Sequence, residues 1–424
     1  MTFIQSFIDR KVRLGGVLLA AVSVCLAAGL LGCGSSSSTT APKGSGLKKR
    51  ALVSNQFSGV VQLLDAQNDA FATTISVNAP TRMLTRSIVT AVVDSSTNTV
   101  ALIDNPSETI KQQPSMPGAI DDIALSGDGK TAYVAMRNLS LLAIINVPDG
   151  SFVTVAIPGI TRLVLSPNSA RLLAFSDDAQ SLPTTNANAF FVIDTASHSV
   201  TTVNAAIGAQ PYSAVFNGSD TQAFIINCGG ECGGTSTGLP GGTPTAASLR
   251  ALDLSSTPTL GTTFTLPANA SATVGLLSGQ NLFLAGTPAP GTGSLVVFNT
   301  ASNSFSTVLS IPDGLHTRMA LASNGRMYIG SSGCLAVPVG GNIQGCLAIF
   351  DTTKGVTQTA IILPTFSSLR TSFNVTGIQP ISGRNVVYIV EGGELDIFDT
   401  TTDALTAKQL DVSGRAIDVV LIDP

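Results

Sequence analysis

The chain has 424 residues, 44% of them hydrophobic and only 11% charged, with 22 Lys+Arg against 26 Asp+Glu. That composition excludes a disordered, solvating chain, and a net charge of −4 speaks against any general affinity for nucleic acid. Two His and no Trp exclude a His-rich metal enzyme and tryptophan platforms for sugars.

Residues 1–16 carry Arg10, Lys11 and Arg13, with Asp9 the one acid. The apolar run from Val17 to Leu31 is too short for a comfortable membrane span. It ends in Leu30-Leu31-Gly32-Cys33, followed by Gly34 and a Ser/Thr stretch. A basic start, a short apolar core and a small residue before a cut are the logic of a secretory leader, residues 1–32. The Leu-x-Gly-Cys ending resembles the lipobox of bacterial lipoproteins. The resemblance implies cleavage before Cys33, a diacylglycerol on its thiol and an acylated new amine. It also implies a protein held in the bacterial cell envelope by lipid, with Gly34 in place of Asp pointing to the outer membrane. Each buried acyl CH₂ contributes about 0.8 kcal/mol, so several chains hold firmly. The alternative is an ordinary signal peptide with an incidental cysteine. Residues 33–49 then read as the lipidated cysteine and a flexible Ser/Thr/Gly tether. Lys48-Lys49-Arg50 reads as a solvated link or a contact for anionic headgroups. Residues 1–50 hold 7 of the basic and 1 of the acidic residues, so 51–424 carries −10.

Residues 50–424 repeat. A short apolar strand ending in Asp or Asn recurs eight times, closing at Asp65, Asp104, Asn146, Asp194, Asp253, Asn299, Asp351 and Asp399. The spacings are 39, 42, 48, 59, 46, 52 and 48 residues, a period that signals propellers or solenoids. Asp and Asn suit this place because their side chains cap their own turn. An apolar strand, a Gly/Asn/Asp turn and a second strand precede each marker, and a Thr/Val-rich strand follows it. Four strands per unit is the arithmetic of a propeller blade, and such units must stack to bury both faces. Ser126-Gly-Asp-Gly-Lys-Thr-Ala-Tyr-Val-Ala-Met136 resembles the strand–turn–strand signature of YVTN-type β-propeller repeats, and Ser323–Ile329 and Ser382–Ile389 repeat it more loosely. The expected fold is all-β, a single propeller of eight four-stranded blades, with seven as the alternative because 82–116 is the poorest match. The body opens on a second strand, Arg50–Val53, and ends on a first strand, Ala416–Ile422. The tail should therefore complete the first blade and abolish the open edge.

Long connections between the second and third strands are expected at Ser176–Ala189, Asn227–Ala247, Gly286–Gly293 and Ser331–Gly345, all on one face, as binding loops are. The first strands line the channel. Aligned, they put Arg82, Asp122, Arg162, Ser213, Thr273, Arg318, Thr376 and Asp418 at one level of that face, with His316 adjacent. Three arginines at one level could hold a carboxylate or phosphate. The alternative is mutual Arg–Asp pairing that seals the funnel, and for His316 a lone surface histidine. Both chain ends map to the opposite, short-turn face.

Beyond Cys25 and Cys33, four cysteines form two local pairs, and an even count in an exported chain reads as disulfides Cys228–Cys232 and Cys334–Cys346. Zinc is the weaker alternative because nearby His is lacking. Gly234-Thr-Ser-Thr-Gly238 matches a nucleophile-elbow pattern but sits in a Gly/Pro-rich loop rather than a strand–turn–helix. No phosphate loop, zinc-protease helix or calcium loop is found, and no cofactor is expected. These observations point to a lipid-anchored scaffold that binds a protein or polymer through its loop-rich face. The alternatives are a lactonase-like hydrolase or lyase with Asp122 as base, and a structural envelope component.

Overall fold

The computed structural model describes residues 44–176, 188–237, 241–339, 342–354, 361–362, 374–408 and 410–423. Cys33 and the 177–187 part of the blade 4 connection lie outside the described residues. The described chain forms eight antiparallel sheets, seven of four strands and one of five. Each sheet is a blade whose strands run in the order a, b, c, d. The a strands of blades 2 to 8 are Pro80–Arg86, Asp122–Leu125, Arg162–Leu165, Pro211–Asn217, Val274–Ser278, Leu315–Leu321 and Val375–Pro380. Each packs beside the a strand of the next blade, and the ring returns to Ala416–Leu421 in blade 1. The stretch 82–116, the weakest repeat in sequence, forms a complete four-stranded blade, so the count is eight and not seven.

The strand chemistry follows from this stacking. A b or c strand is covered on both sides by neighbouring blades, so it reads as a continuous apolar run, as in Thr99–Asp104, rather than an alternation. The outer d strand has one blade edge to solvent. Phe152–Ala156 is accordingly mostly exposed. Eight apolar clusters fill the seams. One joins Tyr388, Val390 and Ile397 of blade 8 to Val53, Leu64 and Val419 of blade 1. Another joins Leu52 and Leu63 of blade 1 to Val92 and Ile103 of blade 2.

The marker residues act as expected. Asp65, Asp194, Asp253, Asn299, Asp351 and Asp399 each accept the N–H two residues on, and Asp104 accepts that of Ser107. Such turns end in a left-handed residue four places after the marker: Asp69, Glu108, Gly150, His198, Asn303 and Asp403. At that place the backbone demands positive φ, which Gly, Asn and Asp tolerate best.

Closure is built as the sequence predicts. Arg50–Asn55 pairs with Val60–Asp65 on one edge and with Ala416–Leu421 on the other, in register Ala51↔Leu421 to Ser54↔Asp418. Two polar latches flank it. Arg50 donates to both carboxylate oxygens of Asp423, at 2.7 and 2.8 Å, and to Glu108 and the Asn105 carbonyl in blade 2. Arg384, in blade 8, grips Asp69 of blade 1 with two nitrogens, and the Tyr388 hydroxyl bonds the same carboxylate. Burial works against ionisation of Asp69, yet Arg384 and Tyr388 hold its pKa below the usual carboxylate value.

The expected tether ends earlier than 49. Ser45 donates its N–H and hydroxyl to Glu108, and Leu47 packs on the seam of blades 1 and 2. Lys49 bonds the Ser382 carbonyl, so Lys49 and Arg50 serve as ties between blades rather than as a solvated basic cluster.

Removing residues 414–424 should abolish the cooperative thermal transition, because it leaves Arg50–Asn55 as an open edge. Arg50→Ala should cost about 1–3 kcal/mol, the range for stranding charged hydrogen-bond partners. Chemical denaturation measures the second; an unchanged midpoint in both variants would contradict the latch.

Candidate functional site

The chain arrives at each a strand from the d–a connection, so the first residues of the a strands ring one mouth of the channel. A cavity of about 560 Å³ opens there, lined by Arg82, Asp122, Arg162, Ser213, Thr273 and Arg318. Arg137, from the b–c turn of blade 3, lines the same cavity, which places b–c connections around this mouth. The opposite mouth, about 480 Å³, mixes apolar groups such as Leu125, Leu165, Val215, Phe216 and Leu277 with Arg86, Ser166 and Ser169, and gathers one arginine where the first gathers four. Val164 lines both cavities. The two ends of one channel thus differ in chemistry.

The level of the aligned residues has a structural cause. Asp418, Asp122, Thr273, Arg318 and Arg82 each reach to the next blade. Asp418 accepts the Met83 N–H at 3.0 Å, and Asp122 accepts the Leu163 N–H at 2.8 Å. Thr273 donates to the His316 carbonyl at 2.8 Å, and Arg318 Nε donates to the Thr376 carbonyl at 2.6 Å. Arg82 pairs with Asp122. These polar bridges tie neighbouring inner strands where side chains of the a strands face a channel rather than another sheet.

The Arg–Asp pairing raised as the alternative forms at two places, Arg82 with Asp122 and, at 4.0 Å, Arg318 with Asp418. They do not close the funnel. Arg82 and Arg318 keep 34% and 32% of their side-chain surface open. Burial among protein walls, and then the neighbouring Arg318 and Arg162, lower the Arg82 pKa to about 10, against a partial offset from Asp418. Burial pushes the Asp418 carboxyl up, while Arg318 and the Met83 N–H pull the other way. Asp122 is buried, and its oxygens take the Ile123 and Leu163 N–H groups and the Arg82 guanidinium. Those contacts suit a structural bridge better than the base that an enzyme reading requires. Arg162 stacks over the Tyr212 ring with its guanidinium carbon 3.6 Å from the centroid.

His316 departs from the expected surface position. It is buried at 2% exposure, its Nε2 lies 3.1 Å from the Pro312 carbonyl, and it does not line the cavity. Burial lowers its pKa to about 4, so it is neutral at ordinary pH. The cause is a bulge between His316 and Arg318, which turns Thr317 and Arg318 to the channel and His316 into the protein.

The insertions on this face take two forms. In blades 6 and 7 they are hairpins that prolong the b and c strands, Asn281–Ala289 with Thr292–Asn299 and Arg326–Val339 with Asn342–Asp351. In blade 5 the insertion holds a short 3₁₀ turn, Gly229–Cys232, and a bridge between Thr235 and Pro244. Gly234–Thr237 lies in that loop, away from any strand-to-helix turn, as expected of a decoy. Disulfides Cys228–Cys232 and Cys334–Cys346 form, with Cα–Cα distances of 5.7 and 6.1 Å inside the normal range. The first pins the 3₁₀ turn; the second staples the base of the blade 7 hairpin. Among the described residues no cluster of His, Cys, Asp and Glu fit for a metal ion is found.

One residue gave no signal in the sequence. Glu231, inside the Cys228–Cys232 ring, reaches into blade 6 beside Ser271 and Gly286. Its Oε2 has no hydrogen-bond partner. Burial raises its pKa to about 7, with the Ser271 hydroxyl and the Thr287 N–H pulling it back only in part. The position is read from the disulfide ring, not from residue type.

No family model and no curated protein matches the chain. Solved structures do. The dihydro-heme d1 dehydrogenase NirN, in complex with DHE, superposes with a TM-score of 0.65 at 10% identity, over 90% of this chain and 76% of NirN. Apo AztD from Citrobacter koseri superposes with a TM-score of 0.57 at 14% identity, over 88% of this chain and 97% of AztD. At such identities the likeness speaks for the fold.

The raised Glu231 pKa fixes the sign of a pH effect. The folded state keeps a proton that the unfolded chain releases near its ordinary value of 4.5. Stability is therefore full below about 4.5, falls as pH rises towards about 7, and levels off above. Glu231→Gln should flatten this slope and stabilise the protein at pH 8; melting temperatures of both proteins from pH 5 to 8 check it.

Proposed function

We propose that this chain is a lipid-anchored envelope lipoprotein with YVTN-type repeats, acting as a scaffold that binds a protein partner through its elaborated face. The observation that carries the reading is the concentration of features on that face. The blade 5 insertion, both prolonged hairpins and the arginine-lined mouth belong to it. Four exposed large apolar side chains belong to it: Phe57, Leu139 and Ile207 on b–c and d–a connections, and Leu315 at the start of the blade 7 a strand. Exposed apolar groups favour a protein over a purely polar polymer. Disulfides in the protruding elements suit an oxidising compartment. The lipobox resemblance at Cys33 supports the anchor, and the described chain enters the propeller at Ser45 beside Glu108, on the short-turn face. A scaffold held there would offer its elaborated face away from the membrane.

Two measurements test this. Growth with a radioactive fatty acid should label the wild type and leave Cys33→Ala unlabelled; an unlabelled wild type ends the anchor. Immobilised protein should capture a defined partner from detergent-solubilised envelope, and replacing 234–243 by a Gly/Ser linker should lose it. Capture that survives both this change and shortening of the blade 7 hairpin would refute the scaffold reading.

A further inference from the structure

The arginines at the channel mouth are under-used by the protein itself. Arg318 spends Nε on the Thr376 carbonyl, and its nearest carboxylate oxygen, on Asp418, is 4.0 Å away, beyond hydrogen-bond reach. Arg82 spends one terminal nitrogen on Asp122, while its Nε is buried without a partner. A guanidinium carries five donors in a rigid fork. Both side chains line the same cavity and keep about a third of their surface open to it. Of the like charges acting on Arg82, Arg318 acts most strongly. Desolvated donors and mutual repulsion are costs that an oxyanion between the two guanidiniums would remove. Ser213 and Thr273 add hydroxyl groups to the same wall.

We propose that this mouth is a carboxylate-binding site, built around Arg82 and Arg318, that takes an acidic segment of a partner polypeptide. The reading rests on the scaffold function above and names the chemistry of its contact. A carboxylate fits better than a phosphate because the acidic groups Asp122 and Asp418 stand behind the arginines. They leave room for a single negative charge and repel a dianion. The guanidinium of Arg82 already shows carboxylate recognition toward Asp122. The acidic body, at −10 over residues 51–424, turns away acidic chains elsewhere and makes the mouth the place where such a segment lodges. The apolar side chains Leu139 and Leu315 flank the arginines in sequence or on the same face and give the residues beside the acid a surface to rest on.

The test uses the whole exported chain and tetra-L-glutamate as the probe, with tetra-L-glutamine and inorganic phosphate as controls, by isothermal titration calorimetry. Tetraglutamate should bind, weaken steeply between low and 0.3 M salt, and exceed both controls. Arg318→Met should weaken it about tenfold or more, the scale of a charge-assisted pair. Arg318→Lys, which keeps the charge without the fork, should fall between, and its melting temperature should match the wild type. Equal binding of tetraglutamine, tighter binding of phosphate, or an Arg318→Met affinity equal to wild type would each overturn the proposal. The outcomes separate from those of the scaffold. Arg318-dependent peptide binding with unchanged capture after loop trimming sinks the scaffold alone. Lost capture after trimming with no peptide binding sinks this inference alone.

Discussion

Ring closure is the constraint on which the rest depends. Eight sheets, each buried on two sides, have no stable arrangement as a row, because the terminal blades would face solvent with Val, Ile and Leu. The chain solves this with eleven residues at its end. Ala416–Leu421 supplies the missing inner strand of blade 1, and the seam holds a full apolar cluster that includes Val53, Leu64, Tyr388 and Val419. A strand contributed from the far end of the sequence makes the closing contact long-range in the extreme, and forming it late would be costly in loop entropy. The polar latches at Arg50–Asp423 and Arg384–Asp69 add direction to a seam that apolar contact alone would define loosely.

Closure also dictates the chemistry of the channel. Inner strands in a ring diverge from one another, so their facing side chains meet a gap, not a partner sheet. At one mouth the gap is bridged by carboxylates, a hydroxyl and a guanidinium that each satisfy a backbone group of the following blade. This arrangement has an electrostatic consequence. Asp122 and Asp418 must stay near the inner backbone to make their bridges, and arginines must stay near them to offset their burial. The excess donors of those arginines are then carried into the open space. A site for an anion thus follows from what holds the inner ring together at this mouth, where Arg82, Arg162 and Arg318 converge.

The fold was legible because its signal is local and repeated. A marker Asp or Asn needs only the next few residues to cap its turn, and it does so at Asp65, Asp253 and Asp399 alike. The aligned channel level was legible for the same reason, since it follows from counting back from each a–b turn. What was not legible depends on contacts between blades or on a local irregularity. Lys49 and Arg50 read as a basic cluster because their partners, Ser382, Glu108 and Asp423, lie 58 to 373 positions away. His316 read as a surface residue because one bulge reverses the facing of its neighbours. Glu231 carried no signal at all, as its environment is set by blade 6 packing against a disulfide ring. The insertions in blades 6 and 7 read as loops, whereas strand pairing resumes past the body of the blade after breaks in register, at Gly286/Ala289 and at Ser331/Cys334 and Cys334/Val339.

The two faces stand in a fixed relation to the chain ends, and that relation is independent of any ligand. A propeller strand alternates direction, so a chain that begins with a b strand and ends with an a strand must present both ends on the a–b face. Here Ser45, bound to Glu108 in a c–d turn, and Asp423, bound to Arg50, meet on that face. Insertions between b and c strands cannot appear there without crossing a blade. Tethering the N-terminal end to a surface would therefore turn the arginine-lined mouth and its hairpins outward without a hinge, a linker of special length or a second contact. The insertions can vary without disturbing closure, because no residue of the blade 5 or blade 7 insertion shares a sheet with Arg50–Asn55. The separation of the chain ends from the elaborated face is a property of strand parity.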